Sequence, residues 1–206
     1  MKIYMLESED WANCSISKSD ISKWVNQYAL EAFGILGDVP DYLNIIVKPN
    51  LPHVSSTTGV GGSTYDHELI DITFDYSLPL GVEKFKRYLR EAIFHEMNHA
   101  LFSRYNPREE RQIYWAILEG LGTVFDREYA GGEHFTSKTA TESEMRAWLK
   151  QNLKTSTRSP NVPFDWIGMT YQVGAWIVDR AIKNSGRDVV KLSHLSCDEI
   201  VKLAKV

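Results

Sequence analysis

The spacing of apolar positions changes along the chain, and each change marks an element. From about Ser19 to Leu36, residues Ile21, Trp24, Val25, Tyr28, Ala32 and Phe33 recur at helical intervals, which predicts a helix with one buried face. Ser19 or Asp20 stands where a cap is needed. Before it, Lys2 to Leu6 reads as a short strand. Tyr42 to Val47, bounded by Pro40 and Pro49 and carrying two consecutive isoleucines, reads as a strand buried on both faces. Between Glu68 and Asp75 the period becomes two: Ile70, Ile72 and Phe74 alternate with Asp71, Thr73 and Asp75, as in a strand with one wet side. Gly59 to Ser63 reads as a loop by composition.

Beyond Pro79 the pattern turns helical, over about 82 to 103 and 108 to 129, with Asn106-Pro107 as the break between the two helices. Further helices are expected at about 140 to 152, 170 to 184 and 197 to 205, the last capped by Ser196. Thr155 to Pro163 is a second loop by composition. Strands followed by helices make an α+β fold, and 206 residues without a repeat or long linker are read as one domain, 1–206.

Composition narrows the function. A formal charge of −4 with no long basic run removes the attraction to phosphate on which nucleic-acid binding leans. Lys84, Lys86, Arg87 and Arg90 fall within a helical pattern and read as a solvated face. Met1 to Asp10 lacks the apolar core of a signal peptide, and no apolar run is long enough to span a bilayer, so a soluble cytoplasmic protein with no membrane partner is expected. Cys14 and Cys197 lie outside any paired spacing and are expected to be buried free thiols.

Chemistry concentrates in the first of the two long helices. His95-Glu96-Met97-Asn98-His99 sets two imidazoles four residues apart, about one helical turn, so that both project from one face toward a single ion. They lie in a stripe with Phe85, Tyr88, Ala92 and Phe102, the seam by which the helix buries itself. Neutral imidazole suits Zn²⁺, and a catalytic zinc site takes three protein ligands. Glu119 is the candidate for the third, because it is a carboxylate inside the apolar run Trp115-Ala116-Ile117-Leu118-Glu119-Gly120-Leu121-Gly122 and needs a partner there. Gly120 and Gly122 weaken a helix, so a packing reason such as close approach to the motif helix is expected for them.

A His-Glu-x-x-His motif followed, after the 19 residues 100 to 118, by a glutamate resembles the gluzincin zinc metallopeptidases. Glu119-Gly120-Leu121-Gly122 and Tyr171-Gln172-Val173-Gly174 are similar, more specifically, to a bacterial family of predicted zinc-dependent proteases, and this resemblance runs from about Gly59 to Ile200. It implies a zincin-like fold, in which a small mixed sheet with an exposed edge strand packs on a helical core. It also implies zinc on His95, His99 and Glu119, and an upstream edge strand, here Glu68 to Asp75, to which an extended peptide adds as a further strand. The chain departs from better-known gluzincins four residues after the zinc glutamate, where an acidic partner for a histidine is often found and Thr123 stands. Asp126, Thr123 or a backbone carbonyl would have to accept the second N–H of a ligating histidine.

In that setting Glu96 is the expected general base and Tyr171 the candidate oxyanion donor, with His134 and His194 as alternatives. A buried structural tyrosine fits the Tyr171 pattern equally well. Gly59 to Gly62 reads as a flap or an ordinary connection, and Trp115, Trp148, Trp166 and Trp176 as core or pocket lining. The function expected is a zinc peptidase acting on a peptide or protein. The alternatives are a zinc hydrolase of a non-peptide amide and a non-catalytic zinc-binding regulatory module.

Overall fold

A computed structural model describes residues 1–38, 42–49, 58–78, 80–132, 140–157 and 168–206. His134, Trp166 and the end of the loop reaching Pro163 lie outside the described residues. The sheet is built from β1 (Lys2–Met5), β2 (Asn44–Pro49), β3 (Val60–Asp66) and β4 (Leu69–Phe74) in the order β1-β2-β4-β3. β1, β2 and β4 are parallel, whereas β3 runs antiparallel to β4 and closes a hairpin with it. With seven helices beside this mixed sheet, the described residues form an α+β fold, as the order of elements predicts.

Four expectations for the sheet need correction. Glu68 to Asp75 is not the edge: β4 pairs with β2 on one side and β3 on the other, and β3 is the edge strand. The glycine-rich segment read as a loop or flap is that strand. Gly61 and Gly62 erase the alternation that marks a strand, and pairing with Thr73 and Ile72 of β4 overrides their weak propensity. β2 buries one face rather than two, with Ile45 and Val47 inward and their neighbours half-buried. Asp71, expected on a wet side, is buried and held by Lys48 Nζ at 2.8 Å, with the Tyr65 hydroxyl at 3.3 Å.

The helices are α1 (Lys18–Leu36), α2 (Val82–Tyr105), α3 (Gln112–Tyr129), α4 (Glu142–Asn152), α5 (Met169–Ser185), α6 (Val189–Leu192) and α7 (Cys197–Ala204). Ser17, rather than Ser19 or Asp20, caps α1 by accepting the Asp20 N–H at 3.0 Å. Ser196 caps α7 as expected, in a reciprocal pair with Glu199. α3 starts four residues later than its apolar period suggests. The Gln112 N–H is taken by Thr155 O and the Glu110 carbonyl by Thr157 N–H, so the backbone there serves a bridge to residues 155–157.

α2 packs against α1, α3, β3 and β4, which explains its burial. The seam is wider than one stripe: Leu89, Ile93, Phe94, Met97, Ala100 and Leu101 are buried as well as Phe85, His99 and Phe102. The basic residues of its first turns take the solvated side, where Lys86 meets Glu83 at 3.1 Å and Arg90 meets Glu31 at 2.5 Å. α3 crosses α5 at Gly120 and Gly174, where a Cβ on either glycine would enter the backbone of the other helix. Gly120 therefore serves the α5 contact and not the motif helix. Cys197 is buried and Cys14 half-buried, both as free thiols.

Candidate metal centre

His95 and His99 stand one turn apart on α2, and Glu119 reaches toward them from α3. His95 Nε2 lies 3.1 Å and His99 Nε2 3.7 Å from Glu119 Oε2. One ligand atom from each of the three residues falls within 4.8 Å of the others. Donors held about 2.0–2.2 Å from a tetrahedral zinc ion are roughly 3.3 Å apart, close to both separations. His99 Nε2 is buried and has no hydrogen-bond partner among the described residues, a costly arrangement unless the lone pair has a ligand to meet. Two imidazoles and a carboxylate are a donor set zinc favours, so the residues present fit this ion.

Gly122 is what lets the two helices close around this group. A Cβ there would stand 2.8 Å from both His95 Cε1 and His99 Nε2. The bare helix surface forms the floor beneath the imidazoles, and the expected approach to the motif helix is found at this glycine.

The partner of His95 is Asp126, whose Oδ2 lies 3.0 Å from Nδ1. It sits seven residues after Glu119, two helical turns along the same face of α3, so Thr123 is not needed for that role. Burial opposes charge on His95, yet the bonds to Asp126 and Glu119 hold its pKa well above the usual imidazole value. Burial also works against charge on Glu119, but His99, His95 and a hydrogen bond from Tyr171 bring its pKa below the usual carboxylate range.

Glu96 meets β3 with its carboxyl while staying beside His99. Its Oε2 accepts from Thr64 Oγ1 at 2.7 Å and lies 3.4 Å from His99 Nδ1. Thr64 Oγ1 is also 3.0 Å from the Glu96 carbonyl. The carboxyl is buried, which raises its pKa, but contact with His99 and Thr64 outweighs this and leaves it an anion. Gly62, two residues earlier on β3, makes room for the same side chain, because a Cβ there would run into Glu96. The loop reading of Gly59 to Ser63 hides Gly62, and Thr64 falls just beyond it, in no expected element. The available signal was the pair Thr64-Tyr65 followed by a short turn and the alternating Leu69 to Phe74, the pattern of a hairpin.

Tyr171, in the first turn of α5, stacks on His95 with ring centroids 6.2 Å apart and gives its hydroxyl to Glu119. His194 is elsewhere, with its ring centroid 4.7 Å from that of Tyr105 at the end of α2. Trp115, Trp148 and Trp176 pack, partly buried, against the core.

Residues 71–202 match a family described as predicted Zn-dependent protease (DUF2268). No curated protein matches the chain. No solved structure matches it either.

Proposed function

The chain belongs to the family of predicted zinc-dependent proteases, and from that premise we propose that it hydrolyses peptide bonds at a gluzincin-type zinc centre. His95, His99 and Glu119 would hold the ion, Glu96 would be the general base and Tyr171 the donor to the developing oxyanion. The observation that carries this reading is the orphaned Nε2 of His99, buried beside Glu119 and the paired His95. Three protein donors is the number a catalytic site uses, whereas structural zinc sites close with four.

When bound, zinc supplies Lewis acidity, acidifying water and polarising a carbonyl. The remaining steps belong to the chain's own groups. Glu96, anionic and adjacent to the ligand histidines, takes the proton from the attacking water and passes it to the leaving amine, for a contribution of roughly 10² to 10⁴ in rate. Thr64 orients that carboxylate from β3. Tyr171 holds its proton firmly, because burial and the neighbouring Glu119 both raise its pKa, so it can only donate a hydrogen bond to an oxyanion. Asp126 fixes the ring of His95.

A peptide substrate is favoured over a small amide by β3. It is an edge strand, and Gly62 and Thr64 lie against Glu96, so a peptide added to its free edge would pass the base. Among the described residues no helix is long and apolar enough to cross a membrane. Metal analysis tests the site: purified wild type should contain one zinc per chain and cleave members of a peptide library, and His95→Ala should do neither. Wild type without zinc affinity would refute the reading.

A further inference from the structure

A cleft of about 270 Å³ opens beside the candidate centre, between the end of β3 and the end of α2. Thr64, which touches Glu96, also lines this cleft, so the cleft borders the candidate centre at that residue. Tyr65, Ser103, Arg104, Arg108 and Tyr114 form most of the rest.

Its two arginines differ. Arg104 is committed to Asp38, with Nη1 2.8 Å from a carboxylate oxygen. Arg108 has no carboxylate partner among the described residues. Its guanidinium carbon lies 4.5 Å from the centroid of the Trp115 ring, and its Nη1 is 3.5 Å from Tyr65 O, the outer limit of a hydrogen bond. Stacking on an indole orients the planar fork while leaving most of its N–H groups free. Tyr65 is the extra residue of a bulge: Thr64 pairs with Ile70 and Asp66 with Leu69, and Tyr65 has no partner on β4. Arg108 therefore reaches the edge strand where its regular ladder ends. Asp66 also lines the cleft, but one of its carboxylate oxygens accepts the Glu68 N–H at 2.7 Å.

We propose that Arg108, at the Tyr65 end of the edge strand, binds a carboxylate of the peptide substrate. The proposal rests on the peptidase reading above. A peptide lying along β3 with its reacting bond beside Glu96 brings a group one to three residues away to the guanidinium, since a strand advances about 3.3 Å per residue. A carboxylate matches the fork with two parallel hydrogen bonds. Two sources share this chemistry, an Asp or Glu side chain within the chain and the terminal carboxylate of a short peptide.

The test uses zinc-loaded full-length protein and three sets of fluorogenic peptides: one with an internal glutamate and an amidated end, one with glutamine in its place, and one neutral with a free carboxyl end. Wild type is expected to favour one carboxylate-bearing set over the glutamine set by at least about tenfold in kcat/KM. Arg108→Gln should erase that ratio, and Arg108→Glu should invert it toward peptides with lysine at the same position. A preference for the first set identifies an acidic side chain, and for the third a chain terminus. Direct binding of the same peptides to Glu96→Gln, read by fluorescence anisotropy, separates the two claims. Arg108-dependent binding of acidic peptides without any cleavage by wild type would uphold the subsite and overturn the peptidase reading. Cleavage with no carboxylate preference, or with a preference that survives Arg108→Glu, would overturn the subsite alone. Neither binding nor cleavage would overturn both.

Discussion

Asp126 Oδ2 lies 3.0 Å from His95 Nδ1, which leaves Nε2 of the same ring directed at Glu119 Oε2, 3.1 Å away. One carboxylate thus sets the orientation of the imidazole and another marks where its free nitrogen points. Removing the first should loosen the ring without removing a ligand. Asp126→Asn is expected to weaken zinc binding by about 10- to 100-fold, measured by competition with a chromophoric chelator. Unchanged affinity would show that the contact orients nothing.

The proton on His95 gives zinc binding a pH dependence. Burial disfavours its charge, but Asp126 and Glu119 outweigh this and raise the pKa in the metal-free protein well above the usual imidazole value, which favours the protonated ring. Zinc must displace that proton. Its affinity should fall as pH falls below the raised pKa, and calorimetry at pH 7 in buffers of different ionisation enthalpy should report net proton release. The metal-free fold carries the opposite dependence. With a folded pKa above the unfolded value, the stabilisation is complete below about 6.5 and is lost as pH rises through the folded pKa. Denaturant unfolding of the chelated protein across that range checks the sign.

Two helical glycines separate propensity from packing. Gly34, in α1, has nothing within 4 Å of where a Cβ would stand, so Gly34→Ala should stabilise the protein by about 0.5–1 kcal/mol. Gly122→Ala gains the same propensity, but its Cβ would stand 2.8 Å from atoms of both imidazoles. Overpacking costs of about 1–3 kcal/mol outweigh that gain, so this variant should melt lower and bind zinc more weakly. Melting curves of the two proteins should shift in opposite directions.

The contrast between these glycines also shows what the sequence can convey. Apolar periodicity located α2, α3 and α5, because burial of one helix face writes itself every three or four residues. The His95, Glu96, His99 group was legible for the same reason, and Glu119 because a carboxylate in an apolar helix needs a partner. β3 was not legible. Gly61 and Gly62 carry no side chain to alternate, and the identity of Gly62 is dictated by Glu96, 34 residues further on. Taking the edge from β3 made β4 look like the outer strand. Asp126 could be named only as one of three acceptors, since the choice depends on the rotation of α3 about its axis.

Thr64 follows from that missed strand. Its hydroxyl, 2.7 Å from Glu96 Oε2, is placed to orient the proposed base from outside the ligand set. Thr64→Val keeps the shape and loses the hydrogen bond, and kcat should fall roughly 10- to 100-fold, the worth of a hydrogen bond to a charged group, with KM little changed. Thr64→Ser should restore most of the rate. Equal loss in both variants would mean that the methyl group, not the hydroxyl, matters.

Glu96 itself bears the central claim, and Glu96→Gln is nearly isosteric and leaves all three candidate ligands in place. The decisive measurement is kcat/KM of wild type and Glu96→Gln on one cleaved peptide, with both proteins at equal zinc content. The account predicts a loss of at least about 10²-fold in the variant. Equal rates would contradict it.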